Sequence, residues 1–310
     1  MKSFSLQCKL MGSAFELRVV NQNKSDADEL LQLGVQEIKR IENLLSEFLP
    51  DSQTSVINNK ASLAPLQIDQ ECFELINRSQ RISILTRGCF DISVSPLKKI
   101  YSFKNIDFQL PDSLLIQDTL ANIGFQKIEL NSITNSIFFK TKEMKISFSA
   151  IGKGYASDQV KKLWMKEGVE SGFINASGDL NAFGSRPDGS GWKIGIAHPD
   201  NQHKIILYVP VQNASVATSG DYEQYFIHNN IRYSHTINPF TGLPVTGIKS
   251  VSVFSPGAEL SDALATAIYV MGVKEGLIFA NQLPDTHCII IDGSNKIHFS
   301  EKLNYETLST

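Results

Sequence analysis

Strands and helices follow one another in runs along this chain, without the strict βα alternation that a parallel, doubly wound sheet requires; the pattern predicts an α+β fold. Residues 4–20 alternate around a Met11-Gly12-Ser13 step and predict an opening hairpin. From Ser25 to Leu45, Leu30, Leu31, Leu33, Val35, Ile38, Ile41, Leu44 and Leu45 recur at helical spacing with charges between them, which predicts a long amphipathic helix. A turn-rich segment follows, from Ser46 through Val56-Ile57-Asn58. Further helices are expected over about Asp69 to Thr86, stopped at Gly88, and from Asp112 through Ile123, stopped at Gly124. The stretch 98–113 has no clear period.

The 310 residues suffice for one large domain or two intimately joined ones. A net charge of −3 argues against a nucleic-acid partner held by phosphate neutralisation, and no basic run interleaved with aromatics occurs. Cys8, Cys72, Cys89 and Cys288 are scattered, which predicts mostly buried, reduced thiols. The N-terminus shows no sustained apolar run of an export signal, and no stretch reaches the ~18 consecutive apolar residues of a membrane helix.

Chemistry-bearing residues gather in a few polar segments. Pro256 and Gly257 precede a helix over 261–272, for which Ser261 is the expected N-cap. Asp262 and Thr266 lie four apart there, placing a carboxylate above a hydroxyl on one face, two hard oxygen ligands suited to Mg²⁺. The alternative is a solvated first-turn Asp with Thr266 bonded back to a carbonyl. Lys145 to Asp158 reads as a strand entering a helix through Gly152-Lys153-Gly154, a turn that permits close ligand approach but lacks the P-loop spacing. Ser177-Gly178-Asp179 predicts a tight turn, and Ala214 to Tyr222 concentrates hydroxyls at a strand end. His235 ends an expected strand before the Asn238-Pro239 turn, and the other histidines form no metal spacing.

Taken in order, MGSAF, the S-x-F-x-x-x-S segment ending at Asn58, GCFDISVSPL, SAIGKGYASD, INASGDL, ATSGDY, YSHTINPFTGLPV and SDALATAIYVMG resemble the ApbE family of flavin transferases. The resemblance spans about residues 10–272. It implies an α+β unit over 1–310, with mixed, largely antiparallel sheets flanked by helices and FAD in a groove between two intimately joined lobes. The implied activity is Mg²⁺-dependent transfer of FMN from FAD to a Thr or Ser hydroxyl of an acceptor protein, by a phosphoester bond. Asp262, Thr266 and the Ala150 carbonyl match the family's metal ligands, and His235 matches a histidine proposed there as the base. Tyr155 and the Ala150–Gly154 turn, Lys153 included, should line the nucleotide side. Met11, Phe48, Cys89 and Asp91 fall in segments that form the flavin pocket, and Gly178, Asp179, Thr218, Ser219 and Gly220 in loops around the dinucleotide. Core packing is the alternative for Met11 and Phe48, and lining without nucleophilic chemistry the reading for Cys89.

Two departures stand out. Many relatives carry Asp where this chain has Ser147, a position that can bind adenine or ribose, and Asp-Pro where it has Asn238-Pro239. Each swap removes one negative charge. Relatives are often exported lipoproteins, although this N-terminus shows no such signal. FAD hydrolysis to FMN and AMP, and flavin binding without turnover, stay open as alternatives.

Overall fold

The computed structural model describes residues 1–101, 110–220, 225–228 and 231–307. In chain order come β1 (Lys2–Leu10), β2 (Ser13–Asn21), α1 (Lys24–Leu45), α2 (Gln53–Lys60), β3 (Leu66–Gln67), α3 (Gln70–Leu85), α4 (Ser95–Lys99) and α5 (Ser113–Leu120). Next are β4 (Ile128–Asn131), β5 (Ser136–Phe139), α6 (Gly152–Lys166), β6 (Gly172–Ala176), β7 (Asp179–Phe183), β8 (Trp192–His198), β9 (Asn201–Val211) and β10 (Ala214–Gly220). The last are β11 (Tyr225–His228), β12 (Ile231–Ile237), β13 (Pro244–Thr246), β14 (Ile248–Ser255), α7 (Ala258–Met271), α8 (Val273–Asn281), β15 (His287–Asp292), β16 (Ile297–Phe299) and β17 (Glu306–Thr307).

The molecule is α+β, as expected. An eight-stranded sheet runs in the order β1-β2-β6-β7-β10-β14-β15-β16, and every described neighbour pair is antiparallel. Strand periodicity divides its side chains between two cores. Ala217, Val253 and Ile290 face the core that includes Leu264 and Ile268 of α7. Their neighbours Val216, Phe254 and Ile289 face the opposite side, against Ile194 and Val209 of the β8–β9 hairpin. Leu264 and Ile268 are fully buried, and each such aliphatic side chain contributes roughly 1.5–3 kcal/mol. Tight turns hold the register: Met11 and Gly12 both take positive φ between β1 and β2, as do Ser177 and Gly178 between β6 and β7.

Caps follow the sequence closely in most helices. Asn23, Asp69 and Asp112 accept N–H bonds at the starts of α1, α3 and α5. Two expectations are corrected. The turn-rich segment after Ser46 contains α2, capped by Ser52, whose Oγ accepts from the Ser55 N–H at 3.0 Å. Ala214–Gly220, expected at a strand end, is itself a strand in the centre of the large sheet.

The helix carrying Asp262 also begins earlier than expected. It starts at Ala258, so Ser261 lies inside its first turn, with Oγ 2.8 Å from the Ser255 Oγ. The capping oxygens come from another helix: Asp158 of α6 accepts from the N–H groups of Ala258 (3.0 Å) and Glu259 (2.8 Å). Asn181 of β7 donates to the same carboxylate at 2.7 Å. Removing such a cap is expected to cost ~1–2 kcal/mol, so Asp158→Ala should lower the urea midpoint by a corresponding amount. An unchanged midpoint would show that the interhelical cap is dispensable.

Candidate functional site

The start of α6, the first turns of α7, the ends of β7 and β10, and the segment 89–98 meet around a cleft. Asp262 and Thr266 enter it from α7, Ala150 and Lys153 from the start of α6, and His235 from β12. Asp179, Thr218, Ser219 and Gly220 form another wall, and Cys89 and Asp91 a third. These sequence-predicted positions are thus brought together from segments far apart in the chain. Asp221 and Tyr222 of the ATSGDY motif lie outside the described residues, as does 102–109.

Hydrogen bonds fix most of these groups. The Asp179 carboxylate accepts from the Thr218 N–H at 3.0 Å and pairs with Lys153 Nζ at 2.9 Å. Ser219 Oγ lies 3.2 Å from Thr266 Oγ1, joining β10 to α7. Asp262 is 6% exposed and accepts from the Gly154 N–H at 3.1 Å. Burial, reinforced by the neighbouring Asp179 charge, pushes its carboxyl up to about 7. Asp262, unlike the Lys153-paired Asp179, is therefore short of countercharge. A carboxylate and a hydroxyl one helical turn apart, beside the backbone at Ala150, make a hard-oxygen set suited to a divalent cation. Among the described residues no group of three or more His, Cys, Asp and Glu side chains forms a metal cluster.

Asp91 and Cys89 have quieter chemistry. Asp91 accepts from the Ser93 N–H and Oγ (2.8 and 2.6 Å) and the Phe125 N–H (2.8 Å), bracing the cleft wall. Burial raises the Cys89 thiol, which favours lining over nucleophilic attack. Asn238 accepts from the Phe240 N–H at 2.8 Å through its amide oxygen, so the turn keeps its acceptor without the charge of an Asp.

Six predicted residues lie off this cleft. Tyr155 points to the other side of α6, where its hydroxyl donates to Glu71 in a hollow that also holds Arg40 and Arg78. Lys153 and Tyr155 are two residues apart on a helix and cannot share a face. Gly154 serves helix contact: a Cβ there would sit 2.2 Å from the Ala258 carbonyl oxygen. Gly178 borders a second hollow that shares only Ser177 and Thr218 with the first. Met11 packs among core side chains, whereas Phe48 is 87% exposed rather than core. Ser147 is buried, and its hydroxyl donates to Glu47 at 2.5 Å.

Sequence reasoning missed Glu47 and Lys98. Glu47 places a carboxylate against Ser147, and its other oxygen accepts from Ser95 Oγ at 3.0 Å. Lys98 lines the cleft with Val94, four residues before it, a spacing that could have marked their common face.

The family model for the ApbE family matches residues 11–290. The chain belongs to the ApbE family. A relative in Klebsiella pneumoniae (strain 342), described as an FAD:protein FMN transferase, is 28% identical over 99% of this chain and 95% of its own. The crystal structure of the ApbE protein from Thermotoga maritima superposes with a TM-score of 0.88 at 28% identity, covering 97% of both chains. The apo flavinyl transferase ApbE of Pseudomonas stutzeri gives 0.85 at 25% identity, covering 97% of this chain and 95% of its own. No described helix here is long and apolar enough to cross a membrane.

Proposed function

We propose that this chain is a flavin transferase that passes FMN from FAD to a Thr or Ser hydroxyl of an acceptor protein, releasing AMP. Family membership and the relatives' names support flavin transfer as such. The finer reading rests chiefly on one observation: Asp262, Thr266, Ala150 and His235 converge on one cleft. We also read residues 1–310 as one functional unit of two joined lobes.

The reaction joins the acceptor hydroxyl oxygen to the phosphorus on the FMN side of the pyrophosphate and breaks that phosphorus's bond to the bridging oxygen. AMP leaves with the electron pair. His235 takes the hydroxyl proton; an imidazole suits that role near neutral pH. Asp262, Thr266 and the Ala150 carbonyl would hold Mg²⁺, and the oxygen-rich donor set with its buried Asp262 carboxyl fits it. When bound, Mg²⁺ would offset charge on the pyrophosphate oxygens. Gly154 orients Asp262 through its N–H, and the Lys153–Asp179 pair keeps the wall behind it in place. Cys89 and Asp91 line the cavity, while Thr218, Ser219 and Gly220 border the dinucleotide.

Incubation with FAD, Mg²⁺ and a Thr-containing acceptor should leave fluorescent flavin on the denatured acceptor and one AMP released per flavin attached. AMP without labelled acceptor would point to hydrolysis, and FAD binding without either product would sink the transferase reading. His235→Ala should lower the transfer rate on the order of 10²–10⁴-fold while FAD still binds. Wild-type rates in that variant would remove His235 from the role of base.

A further inference from the structure

We propose that Lys98 is a phosphate-binding residue of this cleft, its ammonium holding the pyrophosphate of the bound dinucleotide. The proposal rests on the FAD reading above and assigns a charge that reading does not use.

The cleft contains two lysines in different states. Lys153 is tied to Asp179 at 2.9 Å. Lys98 donates to the neutral Ser149 Oγ at 2.9 Å, and among the described residues this is its hydrogen bond; no carboxylate pairs with it within 4 Å. An ammonium has three N–H donors, so two remain for a ligand. Burial pushes the Lys98 ammonium below the usual lysine range, and the nearby Glu47 and Asp262 carboxylates offset only part of that. A partly buried cation with charge-assisted donors to spare, in the cleft that Ala150 and Asp262 also line, is matched to an anionic oxygen.

The location is also specific. Through Ser149, Lys98 joins α4 to the turn immediately before Ala150 and the start of α6. A phosphate held there would lie beside the oxygen set of α7 rather than at the outer rim. Lysine acts on phosphate as a flexible point charge, so the site demands charge and reach more than a planar fork. Arginine should therefore retain much of the function, and a neutral side chain of similar length should not.

Affinities for FAD, riboflavin and inorganic pyrophosphate, measured by flavin fluorescence quenching and calorimetry on the full chain, test this. Lys98→Met should weaken FAD and pyrophosphate by about tenfold or more and leave riboflavin, which has no phosphate, unchanged. Lys98→Arg should bind FAD within a few-fold of the parent. The steepness of the salt dependence for FAD should fall in Lys98→Met, because one charge contact is gone. Equal FAD and pyrophosphate affinity in parent and Lys98→Met overturns the assignment, as does an equal loss for riboflavin, which would mark a packing role. A parent that binds pyrophosphate through Lys98 but does not bind FAD would end the flavin reading and leave the lysine's role standing. A parent that binds neither ligand overturns both.

Discussion

Asp262→Ala should reduce Mg²⁺-dependent flavin transfer by at least about a hundredfold, the scale of loss when one charge-stabilising group is taken from a reacting centre. The side chain is 6% exposed and comes from a helix anchored in the core, so little else can move into its place. Stability should respond in the opposite sense to a usual buried-group deletion. The carboxyl is pushed up to about 7 by burial and by Asp179, so its folded value lies above its unfolded one. Its contribution to stability is then full below the unfolded value near ~4 and is lost as pH rises through the folded value. At neutral pH the metal-free Asp262→Asn chain should melt no lower than the parent. Mg²⁺-dependent labelling at the parent's rate in either variant would overturn the role of Asp262, and a collapsed melting curve would make it a folding residue.

Gly154→Ala should be the most damaging change outside the reacting groups. The added methyl would stand 2.2 Å from the Ala258 carbonyl oxygen and 2.9 Å from the Asp262 Cβ, both parts of α7. Backbone cannot rotate aside as a side chain can, so the two helices must separate. Overpacking of this kind costs on the order of 3 kcal/mol. It would also draw the Gly154 N–H away from Asp262, so activity should fall more than the folded fraction does. Gly178→Ala is a useful control: nothing lies within 4 Å of its Cβ position, and only its φ of +103° is strained. That strain costs roughly 1–2 kcal/mol. Equal denaturation midpoints for Gly154→Ala and the parent would refute the helix-contact explanation.

The sequence was most legible where a period or a cap had a single structural meaning. The apolar spacing of 25–45 became α1, and Asp69 and Asp112 each capped the helix expected after them. Segment order brought the cleft together because the glycines, hydroxyls and carboxylates lie at strand ends and helix starts. The misses have equally definite causes. α2 has little amphipathic contrast and hid among turn-forming residues until its Ser52 cap and tertiary packing decided the matter. Tyr155 was read with its motif rather than by its rotation around α6, which turns it toward Glu71. Ser261 looked like a cap because its real counterpart, Asp158, is remote in sequence and cannot be paired with α7 from local spacing. Ser147 looked like a missing charge, yet Glu47 supplies a carboxylate to the same place. No periodic signal in 46–52 announces that Glu47 belongs near the cleft, and only the four-residue step from Val94 hints at Lys98.

The exchange of bonds between α6 and α7 has a consequence for solvent access to the backbone. Gly154 at the start of α6 donates to a side chain of α7, while Asp158 one turn later receives the first N–H groups of α7. Neither helix can fray at its beginning without releasing amides of the other. The Gly154, Ala258 and Glu259 amides should therefore exchange with deuterium at matched rates, in one opening event, despite being about a hundred residues apart in sequence. Occupancy at Asp262 would then slow exchange at both helix starts together, giving a ligand-binding signal that can be read with no acceptor protein present.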